Sequence, residues 1–178
     1  MTRYGAMLCD PPWAFRTYSK KDVTPHRKTV DHYTTMGLPA LERIPVRDWA
    51  ARDCALFLWA VDSHLDQAIA LGQTWGFEYK TIAFVWTKGH IGMGYWTRKQ
   101  AEICLLFTRG KPKRKSCGVP QHIAAPRREH SRKPDEIYTR IEGLVNGPYL
   151  EMFARQRWLR WDQWGNEVDR FAPESISP

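Results

Sequence analysis

The chain has no apolar run long enough to cross a bilayer. Its longest apolar stretches, such as ALFLWAV from Ala55 to Val61, fall far short of the roughly 20 residues that a membrane-spanning helix needs. The amino terminus also lacks the basic and then apolar layout of a secretory signal. We therefore expect a cytoplasmic protein without a membrane segment.

Paired cysteine motifs are missing as well. No C-x-x-C spacing joins the four cysteines, which are Cys9, Cys54, Cys104 and Cys117. The first three lie in apolar runs, where a reduced thiol packs as a small hydrophobic group. The sequence therefore predicts neither a zinc site nor a disulfide.

Acidic residues are scarce in one segment, residues 109–133. It holds nine basic residues against the single acid Glu129, a difference of eight that equals the net charge of the whole chain, +8. Lysine and arginine neutralise phosphates and give salt-dependent affinity, so this basic segment, with Lys113, Arg114 and Lys115 in its first third, predicts a nucleic-acid partner. A solvated basic loop without a partner is the alternative.

Short apolar strands alternate with amphipathic helices along the chain. The predicted strands are GAMLCD, CALFLWAV, EYKTIAFVW, EICLLFT and YLEMFA, and the predicted helices are SHLDQAIALGQTWGF and KPDEIYTRIEGL. Ser63 and Asp66 predict a capping box for the first helix and Gly76 its end, and Pro134 is predicted at the first position of the second helix. This alternation predicts an α/β fold of Rossmann type, with a mainly parallel sheet flanked by helices. We expect one domain over residues 1–172 and a flexible tail at 173–178.

Two segments lack the periodicity of a strand or a helix. They run from about Ala14 to Arg47 and from Lys88 to Lys99. Each follows the carboxyl end of a predicted strand, which is the edge where open α/β sheets bind ligands, and loops of this length are usually functional or disordered. In the second segment, glycines allow a hinge, while Tyr95, Trp96 and Arg98 offer a stacking platform and a cation.

The string DPPW, from Asp10 to Trp13, directly follows the first predicted strand. Asp10 offers a carboxylate, and the Pro11 carbonyl is expected to be free because Pro12 disfavours a helical continuation that would use it. Neither proline has an N–H, so the corner is stiff and rich in acceptors, and Trp13 can lie beside a bound base. Such a corner complements a nucleobase amino group. A rigid turn with Trp13 in the core is the alternative.

The amino group of adenine is a poor nucleophile because its lone pair is delocalised into the ring. If Asp10 and the Pro11 carbonyl accept both of its hydrogens, a pyramidal nitrogen with an available lone pair is favoured. Methyl transfer then depends on placing that nitrogen in line with an electrophilic methyl group.

An ordered set of motifs covers most of the chain. It comprises DPPW, HYTTM at His32–Met36, LFLWA at Leu56–Ala60, VWTKGHIGMGYWTRKQAEICLLFTRGKP at Val85–Pro112, HSRKPDEIY at His130–Tyr138, and LEMFAR and WDQWGNEV between Leu150 and Val168. In this set the chain resembles the MT-A70 adenine N6-methyltransferases, particularly the short kind found in bacteria and phages. The resemblance implies a Rossmann-like methyltransferase fold in the permuted motif order, S-adenosylmethionine as the methyl donor, and N6-methyladenine in DNA or RNA as the product.

The resemblance also implies roles for individual residues. The catalytic corner comprises Asp10, Pro11, Pro12 and Trp13. The donor side comprises Asp10, Lys133, Arg155, Asn166 and Glu167. For the acceptor side the resemblance implies Tyr33, Trp96 and Glu102. The residues themselves add Tyr95 and Arg98 beside the base, and Lys113, Arg114 and Lys115 on the phosphates. From the residues alone, Lys133 could be a solvated or phosphate-binding lysine, Asn166 a turn residue and Glu102 a salt-bridge partner.

The chain departs from the family pattern in two places. Only nine residues precede Asp10, so the upstream acid with which larger relatives hold the donor's adenine has no counterpart. The late strand is followed by FARQRW rather than by a glycine-rich donor motif. The anchoring of the donor's adenine is therefore not predicted.

The sequence as a whole predicts S-adenosylmethionine-dependent methylation of adenine N6 in nucleic acid, with DNA favoured as the substrate and RNA left open. One alternative is a cytosine N4 methyltransferase, which the resemblance and the aspartate of DPPW disfavour. The other is a catalytically silent nucleic-acid-binding subunit, which the intact DPPW and Lys133 disfavour. A homo-oligomer is compatible with the sequence.

Overall fold

The structure, a computed structural model, describes residues 2–14, 35–92, 94, 96–129 and 132–171. Its centre is one seven-stranded sheet. The strands are β1 Tyr4–Cys9, β2 Ala50–Ala60, β3 Glu78–Gly92, β4 Lys99–Arg109, β5 His122–Ala124, β6 Tyr149–Met152 and β7 Trp161–Trp164. The helices are α1 Leu38–Glu42, α2 Val46–Trp49, α3 Leu65–Thr74 and α4 Glu136–Leu144, and a 3₁₀ turn spans Asp62–His64. The strands lie side by side in the order β5-β3-β4-β2-β1-β6-β7.

The sheet is mixed, with one reversed strand. β1 pairs in parallel with β2 and β6, β6 with β7, and β3 with β5. β4 lies between β2 and β3 and runs antiparallel to both, because β3 turns back into it as a hairpin. The predicted Rossmann-like α/β fold with a mainly parallel sheet is confirmed, with β4 as the exception.

Helices cover both faces of this sheet. Side chains alternate between the faces of a strand, so Met7 and Cys9 of β1 pack in one apolar cluster with α1 and α3, and Ala6 and Leu8 pack in the other with α4. The face that carries α4 is called the α4 face below. Asp10, the next residue in the alternation, belongs to it.

The start of α3 differs from the prediction, whereas its end agrees. His64 is the N-cap residue and no side chain caps the helix; the Ser63 hydroxyl instead contacts His64 Nδ1 at 2.8 Å. The predicted capping box is therefore wrong. Gly76 ends the helix as expected, since its φ of 86° lies in the left-handed region that favours glycine.

Pro134 precedes α4 rather than opening it. The helix begins at Glu136, and the Pro134 carbonyl accepts a hydrogen bond from the Ile137 N–H at 3.2 Å. A tight turn thus leads into the helix, which places Lys133 three residues before it. Ile137, Tyr138 and Ile141 of this helix are buried.

The segments predicted to lack regular structure contain some. α1 lies between Ala14 and Arg47, α2 begins at the end of that segment, and β3 and β4 extend into Lys88–Lys99 as a hairpin. The register slips between Thr87 and Gly92, and Gly89 has a φ of 65°, so the alternation of the strand is interrupted in this stretch. No helix in the described ranges is long and apolar enough to cross a membrane. The division into residues 1–172 and a tail stays a prediction.

Candidate active site

A cleft opens where the strand order reverses. From β1 the chain continues to β2 on one side, and β6 lies on the other side of β1. The carboxyl ends of β1 and β6 therefore form a topological switch point, where open α/β sheets bind ligands. Asp10 follows β1, and the segment 153–156 follows β6. Sequence positions more than 140 residues apart meet at this edge.

Strand alternation turns several polar side chains to the α4 face. Trp59 at the end of β2 follows Phe57 on this face, and Glu102 of β4 precedes Cys104 on it. In β6, Glu151 follows Tyr149, which also packs on this face. The side chains that line the cleft include Asp10, Trp59, Lys133, Glu151, Arg155 and Gln156.

Five side chains of alternating charge form a continuous ionic chain across this edge. Lys133 Nζ lies 2.9 Å from Oδ1 and 2.8 Å from Oδ2 of Asp10. Arg155 Nη2 lies 2.9 Å from Asp10 Oδ2. Lys133 Nζ also lies 3.3 Å from Glu102 Oε2, and the second oxygen of Glu102 pairs with Lys88. The ionic chain therefore runs from Lys88 on the hairpin to Arg155 after β6.

Two members of the ionic chain, Glu102 and Lys133, are held in their charged forms by their neighbours. Burial alone would raise the pKa of Glu102, yet Lys133 and Lys88 attract the carboxylate and lower that pKa to about 2. Burial alone would lower the pKa of Lys133, yet the attraction of Asp10 and Glu102 outweighs it and raises that pKa. The Lys133 ammonium also lies 5.4 Å from the centre of the Trp59 ring. Proton exchange at Glu102 and Lys133 is disfavoured at neutral pH, so they serve as fixed charges.

A second polar network lies behind the ionic chain. Burial, with the Asp10 charge also opposing ionisation, raises the pKa of Glu151 to about 8. The Tyr138 hydroxyl donates to Glu151 Oε2 at 2.9 Å. Gln156 Nε2 donates to Asp135 Oδ1 at 2.8 Å and lies 3.2 Å from the Tyr138 hydroxyl. This network ties α4 to the segment after β6.

Sequence reasoning missed Glu151, Tyr138 and Gln156 as parts of the site. One signal was available for Glu151, which is the sole charged residue of β6, Tyr149–Met152. A carboxylate that the alternation of a strand turns toward a buried face lowers stability unless it is paired or hydrogen-bonded. In the sequence, Tyr138 cannot be distinguished from the apolar residues that bury one face of α4. Gln156 carries no signal in one sequence.

The DPPW corner is tighter than the sequence suggests. The Pro11 carbonyl is not free, because it accepts a hydrogen bond from the Trp13 N–H at 2.8 Å. The Pro12 carbonyl accepts from Met36 N–H at 2.8 Å. The structure does not bring Trp13 into the cleft: its indole is buried in the core and its Nε1 donates to the Trp59 carbonyl at 3.2 Å. Trp13 thus braces the corner from the core side.

The β3–β4 hairpin presents exposed aromatic and apolar surface near the ionic chain. Trp96 is 91% exposed and Ile91 57% exposed, and Arg98 is exposed as well. Lys88 and Glu102 lie at the base of the same hairpin. Tyr95 and Tyr33 lie outside the described residues.

The basic segment is divided between the two edges of the sheet. Arg109 of β4 pairs with Cys54, whereas Cys9, next to Asp10, pairs with Leu58. Because β4 runs backwards, the chain after Arg109 leaves the edge that lies roughly 16 Å from Asp10 along the strands. The exposed residues Lys113, Arg114 and Lys115 are at that opposite edge, where Lys115 N–H donates to the Leu144 carbonyl at the end of α4. The structure does not bring them to the DPPW corner.

The later part of the basic segment returns to the site. β5 runs parallel to β3, with Thr87 opposite Ala124, so the residues after it emerge at the edge that carries Asp10. Arg128 there pairs with Asp135 at 2.8 Å. Arg127 is exposed. Positive charge near the cleft therefore comes from residues 127–133.

Asn166 and Glu167 follow the carboxyl end of β7, on the same edge as the cleft. They line a separate, open depression with residues 165 and 168–170. Asn166 is exposed, and Glu167 pairs with Arg170. Among the residues predicted for the donor side, Lys133 and Arg155 contact Asp10 directly. Asn166 and Glu167 lie beside this group.

The described residues contain no group of three or more His, Cys, Asp or Glu placed to hold a metal ion. All four cysteines are unbonded to one another, with Cys117 exposed and the others buried. Fixed charges and hydrogen-bonding groups are therefore the chemical resources that these residues supply.

Comparison with known proteins gives consistent matches. The MT-A70 family model matches residues 4–167. The Type II methyltransferase M.MunI of Mycoplasma sp is 33% identical over 93% of this chain and 78% of its own length. The human N(6)-adenosine-methyltransferase catalytic subunit METTL3 is 26% identical over 94% of this chain and 28% of its own length. An Arabidopsis thaliana N(6)-adenosine-methyltransferase MT-A70-like protein is 25% identical over 93% of this chain and 24% of its own. The chain thus spans about a quarter of the adenosine methyltransferases that it matches.

Proposed function

We propose that this chain, which belongs to the MT-A70 family, methylates the N6 atom of adenine in DNA. Methylation of adenine N6 is supported by the family and by the named relatives. DNA is favoured over RNA because M.MunI, which this chain matches over 78% of its length, is a Type II methyltransferase. The observation that carries the proposal is the position of Asp10, at the switch point between β1 and β6 and between two cations.

The DPPW corner supports the acceptor role. The two carboxylate oxygens of Asp10 offer about four acceptor positions, of which Lys133 and Arg155 occupy three. One position is left for an amino hydrogen. The Pro11 carbonyl, bonded once to Trp13, has a second lone pair for the other hydrogen. Asp10 and Pro11 can therefore hold an amino group while the corner keeps its own bonds.

The cleft fits S-adenosylmethionine, the methyl donor of MT-A70 methyltransferases in general. Among the described residues, Trp59 Nε1 and Gln156 Oε1 are buried without a hydrogen-bonding partner, and both residues line the cleft. A buried polar group of this kind gains stability when a ligand satisfies it. Lys133 and Arg155 would hold the donor's carboxylate, with Asn166 and Glu167 near its ribose. When bound, the donor supplies an electrophilic methyl group.

Nucleic acid is proposed to approach the edge that carries Asp10. Residues 127–133 supply positive charge there, and the β3–β4 hairpin supplies Trp96 and Arg98. A target base must leave its stack to reach the corner, which costs a few kcal/mol in a duplex and less in a single strand. Lys113, Arg114 and Lys115 then contact phosphates beyond the target site.

The direct test is incubation of the purified chain with labelled S-adenosylmethionine and defined DNA or RNA oligonucleotides. Digested nucleosides should contain N6-methyladenine from the DNA. N4-methylcytosine would assign the rival activity, N6-methyladenine only from RNA would correct the substrate, and the absence of any methylated nucleoside would favour a silent binding subunit.

The Asp10→Ala variant tests the role of the carboxylate. We expect methylation to fall by on the order of 10²-fold or more, the effect of deleting a group aligned with the transition state, while donor binding survives in part because Lys133 and Arg155 remain. Asp53→Ala is the matched control, since Asp53 accepts from the Lys111 N–H at the opposite edge. Full turnover in Asp10→Ala would overturn the proposed role.

A further inference from the structure

The orientation of the Gln156 amide is fixed by its neighbours. Asp135 forms an ion pair with Arg128, and its Oδ1 accepts a hydrogen bond from Gln156 Nε2. The Tyr138 hydroxyl donates its proton to Glu151, so it too accepts from Gln156 Nε2. Both neighbours therefore demand the donor end of the amide.

The acceptor end of the same amide is left over. Gln156 Oε1 is buried and finds no hydrogen-bonding partner among the residues that the structure describes. The side chain is 4% exposed and lines the cleft with Asp10, Lys133 and Arg155. A buried carbonyl without a partner lowers stability, and a group that brings an N–H or O–H into the cleft would remove that cost.

We propose that Gln156 Oε1 accepts a hydrogen bond from the α-ammonium group of the methyl donor. This inference rests on the proposed function, and specifically on S-adenosylmethionine as the donor. Gln156 is tied to Asp135, two residues from Lys133, the residue that we assign to the donor's carboxylate. Ammonium and carboxylate are attached to one carbon in an α-amino acid, and Gln156 and Lys133 line the same cleft, so one amino acid can reach both protein groups.

The chemistry selects the ammonium over the carboxylate of the donor. An amide oxygen can only accept, so it cannot satisfy a carboxylate, whereas an ammonium brings three N–H groups and a positive charge. Gln156 would thereby distinguish a donor with an intact amino acid from one without it. A ribose hydroxyl is the competing partner, and the test separates the two.

The test compares two ligands by calorimetry in the absence of nucleic acid. S-adenosylhomocysteine carries the amino acid, and methylthioadenosine keeps the adenine, ribose and thioether without it. In Gln156→Met we expect affinity for S-adenosylhomocysteine to fall roughly tenfold to hundredfold, the range for a hydrogen bond to a charged group, while methylthioadenosine binds as in the wild type. Gln163→Met is the matched control, because Gln163 donates to backbone carbonyls beside β7.

Other outcomes overturn the inference in distinguishable ways. Equal losses for both ligands would assign Gln156 to the ribose, and no loss for either would remove it from the site. A wild-type chain that binds neither ligand would overturn the proposed donor as well. Unchanged binding of methylthioadenosine also shows that Gln156→Met is folded.

A second measurement leaves Gln156 in place. In Asp10→Ala, S-adenosylhomocysteine should still bind at least tenfold more tightly than the analogue that differs from it only in lacking the α-amino group. The reason is that Gln156 Oε1 remains to recognise the ammonium. Equal affinities of the two ligands for this variant would overturn the inference, whatever the folding of Gln156→Met.

Discussion

Glu151 gives the site a dependence on pH at the scale of a single residue. Its pKa is raised to about 8 from an ordinary 4.5, chiefly by burial. Below pH 4.5 the folded and unfolded chains both hold this proton. Between pH 4.5 and about 8 only the folded chain holds it, so the raised pKa costs folding free energy as the pH rises. The contribution of Glu151 to stability is thus present in acid and lost toward pH 8.

The Glu151→Gln variant should be more stable than the wild type at neutral pH. An amide can accept from Tyr138 without an ionisation cost, so the difference in unfolding free energy should grow by up to about 1.4 kcal/mol for each pH unit between pH 4.5 and 8. Urea unfolding at several pH values measures it. Glu78→Gln, on the exposed start of β3, is the control. A difference that does not change with pH would contradict the raised pKa.

Some residues of the candidate site can be identified from one sequence, and others cannot. Asp10, Glu102, Lys133 and Arg155 were predicted through a family resemblance, and they converge in the ionic chain. The structure was needed for Gln156, because its importance depends on which end of an amide its neighbours occupy. The structure was also needed for Trp13, because the same neighbours in sequence are compatible with two positions of its indole. The indole could pack in the core beside a turn, or it could line the cleft.

At the scale of elements, the β3–β4 hairpin links the surface to the ionic chain. Trp96 at its tip is 91% exposed, and Lys88 and Glu102 at its base pair with each other and with Lys133. A nucleic acid that stacks on the tip would therefore contact the element that holds the lysine proposed to bind the donor.

Trp96→Ala should weaken nucleic-acid binding without destabilising the fold. Loss of base stacking on an aromatic ring costs about 1–3 kcal/mol, which is roughly five- to 150-fold in affinity. Fluorescence anisotropy with a labelled oligonucleotide measures the affinity, and thermal melting reports the fold. As the control, Leu159→Ala removes an exposed apolar side chain elsewhere, 74% exposed. Equal binding by Trp96→Ala and the wild type would exclude the hairpin tip from the interface.

The elements that were predicted are those with a strong local pattern. β1, β2 and α3 combine length with clear apolar periodicity, so burial and sequence agree. β5 and β7 were missed because each short strand has a single buried side chain and therefore no apolar run. They form by pairing with β3 and β6. The reversal of β4 was missed because a buried strand has the same composition in either direction.

At the scale of the molecule, the reversal of β4 distributes the positive charge over two edges. Residues 111–115 lie at the edge opposite Asp10, and residues 127–129 and 132–133 lie at the edge that carries it. A nucleic acid that contacts both groups must extend along the sheet for more than the roughly 16 Å between the levels of Arg109 and Asp10. The basic segment therefore implies a footprint much larger than the target base.

Alanine at Lys113, Arg114 and Lys115 together should weaken DNA binding but leave the rate at saturating DNA unchanged. The slope of log affinity against log salt should become shallower by about 0.9 for each duplex phosphate that the variant no longer neutralises. Titrations at several salt concentrations and turnover at saturating substrate measure the two effects. Lys80→Ala, a lysine paired with Glu78, is the charge control. An unchanged slope would remove these residues from the footprint.

The short outer strands bear on how copies of the molecule meet. β5 and β7, the outermost strands of the described sheet, offer three and four residues respectively. Long flat edges recruit further strands and lead to aggregation, and short ones resist it. Lateral growth of the sheet is therefore disfavoured. Contacts between copies of the chain would then have to use loops and helices rather than the edges of the sheet.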